Sequence, residues 1–355
     1  MLFSRFVYFV ALTVFVSISH AYPYRLAEQK NINFDRIGGG EGLSQGVTTR
    51  VEQDPEGFIW IGTQEGLNRY DGYRFKNYYH IDGESSSLPH NYIRHILFTA
   101  SGQMYVSTDG GLALYRPDID AFESIDLDLS GDQRNIYYTL EDQEGRLWIA
   151  TREGVCVLLP DGQKIWLRHS DDTAGSIGGG AVRTLMEDDA GKIWIGMEES
   201  GVFTGDIERG FVNVDLGMTE LDVRDFLEDS SGKTWVATFN NGVFVLDTSD
   251  GLIARYRSDD APFSLGSDRV RTVLEDSYKQ IWLGTDMGLH LLIDDDRFLR
   301  YQQDLSNPKS ISDNTVLDLV QDSGGVIWAA TYNGVSKWNA PVSYTHLTLP
   351  TIYSV

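Results

Sequence analysis

A unit of apolar and polar positions repeats seven times along this chain. In the first copy it runs from Asp54 to Leu67: an Asp-x-x-Gly turn, the apolar stretch Phe58-Ile59-Trp60-Ile61-Gly62-Thr63, a second short turn and Gly-Leu. The aromatic residues at the centre of the unit are 41 to 47 residues apart, at Trp60, Tyr105, Trp148, Trp194, Trp235, Trp282 and Trp328. An Asp precedes each Trp by six residues, whereas the second copy has Thr99 in that position.

Each part of the unit predicts an element of β structure. Asp-x-x-Gly favours a tight turn, because the carboxylate accepts backbone N–H groups and Gly adopts positive φ. Apolar residues on both faces of Ile59–Thr63 predict a strand buried between neighbouring sheets, and further strands are predicted at 67–71 and 73–78. Four strands in each of seven units predict an all-β fold, a seven-bladed β-propeller of four-stranded antiparallel blades.

The two ends of the repeat region predict how the ring closes. The seventh copy has three predicted strands, at 316–321, 326–331 and 335–339, and no fourth. The segment 31–37 precedes the first copy and has the pattern of an outer strand without a blade of its own. We therefore predict that residues 31–37 complete the seventh blade, so that no sheet edge stays open.

The first residues have the pattern of a secretory signal peptide. Arg5 gives a basic start, residues 6–18 are apolar or small, and Ser19-His20-Ala21 places small residues before a cleavage point. We predict three regions: a signal peptide at 1–21, the propeller as a sensor domain at 22–340, and a tail at 341–355 that fits no blade. The mature chain is then expected in the periplasm.

Composition narrows the classes of partner. The chain has 52 acidic and 29 basic residues, a net charge of −23, which excludes a nucleic-acid phosphate backbone as the expected partner. The single cysteine, Cys156, lies in an apolar predicted strand, where a buried and unreactive thiol is expected.

The repeat resembles a known family. The stretch Asp54 to Tyr73, with Gly57-Phe58-Ile59-Trp60-Ile61-Gly62-Thr63-Gln64-Glu65-Gly66-Leu67-Asn68-Arg69-Tyr70-Asp71-Gly72-Tyr73, is similar to the two-component regulator propeller repeat, and so is Glu41-Gly42-Leu43-Ser44-Gln45. The resemblance covers roughly residues 31 to 340. It implies the periplasmic sensor region of a hybrid histidine kinase or a membrane diguanylate cyclase of a Gram-negative bacterium.

Receptors of that family continue beyond one propeller. They usually add a second propeller, an immunoglobulin-like module, a membrane helix and a cytoplasmic output domain, and none of these is recognisable in this sequence. We therefore expect this chain to be a truncated part of such a receptor, ending in a foreign tail. Its expected partners are the missing C-terminal receptor domains and, in a receptor dimer, a second copy.

The motifs that suggest catalysis have a simpler structural interpretation. Gly42-Leu43-Ser44-Gln45-Gly46 matches G-x-S-x-G, but a predicted strand follows it where that motif needs a helix. The repeated Asp residues are spread one to a blade, so they cap turns and do not converge on a metal or a proton-transfer site. We predict no catalytic residues, no metal, no cofactor and no enzymatic activity in this chain.

Arginines at the start of the innermost predicted strands are the first candidate binding residues: Arg94, Arg183, Arg224 and Arg271, with Arg50 in a nearby register. Innermost strands line the channel of a propeller, so these side chains could form a cationic collar for carboxylate or sulfate groups. The alternative is that Glu187, Glu228 and Glu275, four residues further on, neutralise the collar.

The turns of the Thr-x-x-Gly type are the second candidate, because binding residues concentrate on loops held by a rigid scaffold. They present Gln64 and Glu65, Glu198 and Glu199, and the binding candidates Arg152, Asn240, Asn241, Asp286, Tyr332 and Asn333. The predicted function is an extracytoplasmic sensing propeller that binds an oligosaccharide or another small ligand. The alternatives are a propeller polysaccharide lyase or glycosidase, and a scaffold that binds only protein.

Overall fold

The computed structural model describes residues 32–247, 251–294 and 296–339, and in this part of the chain it contains 28 β-strands and two 3-10 turns. The strands form seven four-stranded antiparallel sheets, so the predicted seven-bladed propeller is confirmed. No helix among the described residues has the length and apolar character needed to cross a membrane. The predicted signal peptide at 1–21 and the predicted tail at 341–355 lie outside the described residues.

Four strands make each blade, and we number the blades in chain order. The innermost strands are β2 (Thr48–Gln53), β6 (Ile93–Phe98), β10 (Ile136–Glu141), β14 (Val182–Glu187), β18 (Val223–Glu228), β22 (Val270–Glu275) and β26 (Val316–Gln321). The second strands, which carry the repeat aromatic residue, are β3 (Ile59–Thr63), β7 (Met104–Thr108), β11 (Leu147–Thr151), β15 (Ile193–Met197), β19 (Lys233–Thr238), β23 (Ile281–Thr285) and β27 (Val326–Thr331).

The two outer layers of strands follow the same order. The third strands are β4 (Gly66–Tyr70), β8 (Gly111–Arg116), β12 (Gly154–Leu158), β16 (Val202–Asp206), β20 (Val243–Asp247), β24 (Gly288–Asp294) and β28 (Gly334–Asn339). The outermost strands are β5 (Phe75–Tyr78), β9 (Ala121–Ile125), β13 (Lys164–Leu167), β17 (Gly210–Asn213), β21 (Gly251–Tyr256), β25 (Arg297–Tyr301) and, for the seventh blade, β1 (Asp35–Ile37).

The ring closes as predicted, with a shorter strand than expected. β1 pairs antiparallel with β28 and so completes blade 7. Its strand covers Asp35–Ile37 only, and Phe34 just before it donates its N–H to the carbonyl of Lys309 at 2.8 Å. Phe122, Phe211 and Phe298 on other outermost strands donate in the same way to the preceding inter-blade loop. The N-terminal segment therefore takes the place of a regular fourth strand.

The repeated Asp has the turn-capping role predicted for it and a second role. In blade 3, Asp142 accepts the backbone N–H groups of Glu144 and Arg146 through Oδ1, and the indole N–H of Trp148 through Oδ2 at 2.6 Å. The same indole bond is present at Trp60, Trp194, Trp235, Trp282 and Trp328. Each Asp therefore joins the turn to the large aromatic side chain that fills the space between blades.

A hydrogen bond from the end of each innermost strand joins neighbouring blades. The carboxylate of Glu275 in blade 6 accepts the N–H of Ser230 in the Asp-x-x-Gly turn of blade 5, at 2.9 Å. Equivalent bonds link five other blade pairs, through Gln53, Glu141, Glu187, Glu228 and Gln321. At the junction of blades 1 and 2 the two positions are Pro55 and Phe98. Since proline has no N–H and phenylalanine no acceptor, neither leaves a polar group without its partner.

Candidate ligand site at the mouth of the channel

All seven innermost strands carry an irregularity at the same place. Each pairs with its second strand in regular register except between its first and third residues, where one extra residue is inserted. Such a β-bulge bends the strand and redirects the inserted side chain. The inserted residues are Thr49, Arg94, Tyr137, Arg183, Arg224, Arg271 and Leu317.

These seven side chains line a single cavity at the mouth of the channel, with a volume of about 130 Å³. We call this cavity, with its neighbours Arg50, Tyr92 and Ile93, the mouth site. The four arginines predicted to form a collar are thus brought together from blades 2, 4, 5 and 6. Whether they bind a ligand stays a prediction.

Arg50 lies in a different register from the other four arginines. It pairs opposite Gly62, as Thr184 pairs opposite Gly196, so it is one residue beyond the bulge. Its guanidinium extends into the channel, where Nη1 donates to Asp318 Oδ1 at 2.8 Å. The prediction that Arg50 is nearly in register with the collar is therefore corrected, because the bulge moves the register by one residue.

The glutamates proposed as an alternative neutralising set do not contact the arginines. Glu187, Glu228 and Glu275 are four residues further along the strand, about 13 Å at 3.3 Å per residue, and they bond to the neighbouring blade. The prediction that these glutamates neutralise the collar is therefore wrong. The arginines pair with other carboxylates.

In three blades the true partners come from the turn between the second and third strands. Arg94, Arg183 and Arg271 each donate to a carboxylate 15 residues further on in the same blade, at 2.5 Å. Those acceptors are Asp109, Glu198 and Asp286. In blade 5 that turn position is Phe239, and Arg224 pairs instead with Asp222, also at 2.5 Å. Each collar guanidinium is therefore fixed by one carboxylate.

Aromatic rings hold the flat faces of the same guanidinium groups. The Arg94 guanidinium lies 4.3 Å from the ring centroid of Tyr92 and 5.3 Å from that of Tyr137, and Arg183 lies 4.2 Å from Tyr137. On the other side of the mouth, Phe239 is contacted by Arg224, Arg269 and Arg271 at 4.6, 5.2 and 5.0 Å. Cation–π contacts of this kind stabilise and orient guanidinium groups.

Not every polar atom at the mouth has a partner. In the described part of the chain, the Nε atoms of Arg183 and Arg224 and the Oδ1 atom of Asp222 are buried without a hydrogen bond. Burial raises the pKa of Asp222 above its ordinary value, and Arg224 and Arg183 act against that increase. For Arg94, burial lowers the pKa, but the hydrogen bond and charge of Asp109 more than compensate, so the pKa is raised overall.

The turn residues predicted to bind ligand are not all at the mouth site. Asp286 belongs to it through Arg271, as does Glu198 through Arg183. Arg152 is largely exposed and faces Asp132 at 3.8 Å, and Asn240, Tyr332 and Asn333 are exposed. Asn241 accepts two bonds from Arg255, through its carbonyl and its side-chain oxygen, which gives it a structural role.

Sequence reasoning missed the aromatic and acidic side chains that hold the mouth arginines: Tyr92, Tyr137, Phe239, Asp109 and Asp222. A signal for two of them exists in the repeat alignment, because Tyr137 replaces arginine at the bulge and Phe239 replaces the acid of the turn. Ser44, the nucleophile position of the G-x-S-x-G match, bonds to Thr63 and Asn68 in the wall of blade 1. Among the described residues, no group of three or more His, Cys, Asp and Glu side chains has the geometry of a metal site.

A second cavity of about 190 Å³ lies in the channel below the mouth. We call it the lower chamber; its ionisable lining residues are Arg50, Glu52, His95, Tyr138, Asp225 and Asp318. A larger cleft of about 510 Å³ lies away from the channel, between the loops on either side of blade 2. Its floor is apolar, with Leu88, Leu112 and Ile136 fully buried.

Three segments of this chain match a known family of propeller repeats. A model of the two component regulator propeller family matches residues 130–153, 264–287 and 310–333, each of which leads into a blade and ends in a Thr-x-x-Gly turn. This chain carries two-component regulator propeller repeats. A stretch of 62 residues is also 39% identical to histidine kinase P4 of Formosa agariphila, covering 18% of this chain and 4% of the kinase.

Solved structures agree with the repeat assignment at the level of the fold. The extracellular domain of a B. thetaiotaomicron protein described as a hybrid two component system superimposes with a TM-score of 0.74 and 22% identity, over 88% of this chain and 42% of that one. The virginiamycin B lyase of Staphylococcus aureus superimposes with a TM-score of 0.67 and 9% identity, over 88% and 100%. The chain thus spans less than half of the extracellular domain that it resembles.

Proposed function

We propose that this chain is the ligand-binding propeller of an extracytoplasmic signalling receptor, and that its mouth site binds a small ligand through a carboxylate or sulfate group. The observation that carries the proposal is the convergence of four bulge arginines on one cavity. Propeller repeats of the two-component regulator type and the fold shared with an extracellular receptor domain support the receptor role. The proposal includes secretion by the N-terminal signal and a sensor unit of residues 22–340.

The mouth arginines suit an anion because they are held in place before the ligand arrives. A carboxylate takes one edge of each guanidinium and an aromatic ring takes a face, so little side-chain freedom is lost on binding. The remaining N–H groups can make bidentate bonds to a carboxylate or sulfate. Tyr92, Tyr137 and Phe239 add apolar faces beside these donors, as a sugar ring requires, so an acidic oligosaccharide is the proposed ligand class.

Binding would act on the receptor by shifting populations. A ligand changes an equilibrium between receptor conformations only by its difference in affinity for them. The proposal therefore needs no bond-breaking step in this chain, and its partners are the remaining receptor domains and a second receptor copy.

A propeller lyase or glycosidase is the second candidate. The fold shared with a lyase and the buried carboxylates of the lower chamber favour it. A glycosidase needs two carboxyl groups roughly 5 to 9.5 Å apart on either side of the scissile bond. The two candidates differ in whether the bound oligosaccharide leaves intact.

A thermal-shift screen with product analysis tests the proposal. The chain is mixed with uronate-containing, sulfated and neutral oligosaccharides, and every ligand that raises the melting temperature is recovered and analysed. We expect an acidic ligand to stabilise the chain, to be recovered intact, and to lose its effect in Arg183→Gln and Arg224→Gln. Arg152→Gln, an exposed arginine outside the mouth, is the matched control and should leave the shift unchanged.

Each contrary result has a clear meaning. Cleaved product would contradict the sensor role and support the lyase or glycosidase. A neutral sugar that binds as well as its acidic counterpart would contradict the anion site. If no member of the screen shifts the melting temperature, a protein-binding scaffold becomes the better account.

A further inference from the structure

Arg50 separates two cavities of the channel and belongs to both. Its side chain lines the mouth site on one side and the lower chamber on the other. Nε donates to the carbonyl of Arg94, a mouth residue, at 3.1 Å, and Nη1 donates to Asp318 in the lower chamber at 2.8 Å. A change of charge in the lower chamber therefore acts on a guanidinium group that also lines the mouth site.

Three carboxylates face Arg50 from three strands. Asp318 on β26 also accepts the N–H of Val51 at 2.8 Å, and Asp225 on β18 accepts the N–H groups of Phe226 and Val273 at 3.0 Å. Glu52 on β2 lies within electrostatic range of Arg50 and Asp318.

Two further ionisable side chains complete the lining. His95 on β6 and Tyr138 on β10 stack with ring centroids 3.8 Å apart, and the Arg50 guanidinium lies 5.6 Å from the Tyr138 ring. His95 bonds through Nδ1 to Thr139. The charges of Asp225, Arg50, Asp318 and Glu52 all act on the Tyr138 hydroxyl, which places the whole group in one electrostatic unit.

Only some of these groups change charge near neutral pH. Burial, together with the charge of Asp318, raises the pKa of Glu52 to about 7. Burial raises the pKa of Asp225 to about 6. For His95, burial and the charge of Arg50 hold the pKa well below its ordinary value, so that imidazole stays neutral. Burial also raises the pKa of Tyr138, which stays protonated.

We propose that the lower chamber is a proton-binding site whose protonation raises the affinity of the mouth site for an anion. With all three carboxylates ionised, they and Arg50 carry a net charge of −2, which opposes an anion above them. When Glu52 and Asp225 are protonated, the charges of Arg50 and Asp318 cancel, so the four groups together are neutral. The proton site stands on the geometry of the chamber, whereas its effect on ligand rests on the proposed anion site.

The linkage has a definite sign. An anion at the mouth favours the neutral form of Glu52 and Asp225, so binding takes up protons, and protons favour binding by the same factor. Two charges acting over roughly 10 Å at an effective dielectric of about 20 change the affinity for a monovalent anion by roughly two orders of magnitude. The same ligand should therefore bind roughly a hundredfold more weakly at about pH 8.5 than at about pH 5.5.

Calorimetric titration of the full chain with sodium sulfate as the probe tests the linkage. We measure affinity across this pH range, and proton uptake from the dependence of the heat on buffer ionisation enthalpy. We expect tighter binding at low pH and net proton uptake at neutral pH. Glu52→Gln and Asp225→Asn, which keep side-chain size, should each reduce the pH dependence and the uptake. Glu123→Gln, an exposed carboxylate on the outermost strand β9, is the control.

A titration without ligand tests the proton site separately from the anion site. Carbon-13 NMR of labelled glutamate carboxyls, with the Glu52 signal identified by its loss in Glu52→Gln, should show titration near neutral pH. An ordinary acidic titration of Glu52 would overturn the proton site, whatever sulfate does. Sulfate binding that is independent of pH would overturn the linkage alone. Absence of sulfate binding at both ends of the range would overturn the anion site and the linkage together.

Discussion

The Arg50 guanidinium of blade 1 donates to the Asp318 carboxylate of blade 7 at 2.8 Å, across the junction where the ring closes. The Arg50 side chain is 19% exposed and that of Asp318 is 8% exposed. Asp318 also accepts the N–H of Val51 through its other oxygen, so one carboxylate joins the first and last blades at two points. Closure of the ring therefore depends on the channel wall as well as on β1.

Asp318→Asn tests that dependence. The change leaves the Arg50 charge in the channel without its partner, and removal of one member of a buried pair costs about 3 kcal/mol or more. We expect a clear fall in the free energy of unfolding, measured by urea denaturation. Asp35→Asn breaks an exposed pair with Lys309 at the outer edge of blade 7 and should have little effect. Equal effects of the two changes would contradict the role given to Asp318.

The bonds between blades give a second prediction, at Glu275. Glu275→Ala removes the acceptor for the N–H and hydroxyl of Ser230, and should lower the free energy of unfolding by about 1 to 2 kcal/mol. Glu275→Gln should cost much less, because Gln53 and Gln321 make the same bond in other blades. If alanine and glutamine variants unfold alike, the hydrogen bond is not what holds these blades together.

A third prediction concerns pH and Glu52. A carboxyl whose pKa is raised in the folded state stabilises the fold below its unfolded pKa of about 4.5, and loses that contribution as pH rises through about 7. The melting temperature of the natural chain should therefore fall relative to that of Glu52→Gln between about pH 5 and about pH 8. The full difference is at most about 3.4 kcal/mol at 1.36 kcal/mol per unit. Melting curves that stay parallel across this range would contradict the raised pKa.

The aromatic contacts at the mouth give a fourth prediction. Phe239→Leu keeps an apolar side chain but removes the ring that contacts Arg224, Arg269 and Arg271, and should weaken binding of an acidic ligand by about fivefold to tenfold. Phe58→Leu removes a ring that contacts Arg69, away from the mouth, and is the control. The affinity of each variant for the acidic ligand is measured by calorimetry. Equal losses of affinity in both variants would show that the effect is not local to the mouth.

Much of this fold could be predicted from the sequence because the repeat is long and its parts have separate physical roles. The Asp-x-x-Gly turn, the Trp strand and the orphan segment before the first copy were enough for seven blades and their closure. The bulge was not predictable, since residues 182–187 contain no glycine or proline that would mark an interruption of the strand. That one inserted residue displaces Arg50 from the collar.

The partners of the arginines were also beyond the sequence. A spacing of 15 residues between Arg183 and Glu198 becomes a contact only when two strands fold back on each other. Spacing within a strand suggested Glu187, which bonds to the preceding blade. The pair Pro55 and Phe98 is informative only in the structure, where one position lacks a donor and the other an acceptor at the same junction.

The most direct test of the central claim is a crystal structure of the full chain with a bound acidic disaccharide. The account predicts that the carboxylate or sulfate group lies at the mouth site, within hydrogen-bonding distance of Arg183 and Arg224. Electron density for the disaccharide in the cleft beside blade 2, between Leu88 and Ile136, with the mouth arginines unchanged, would contradict it.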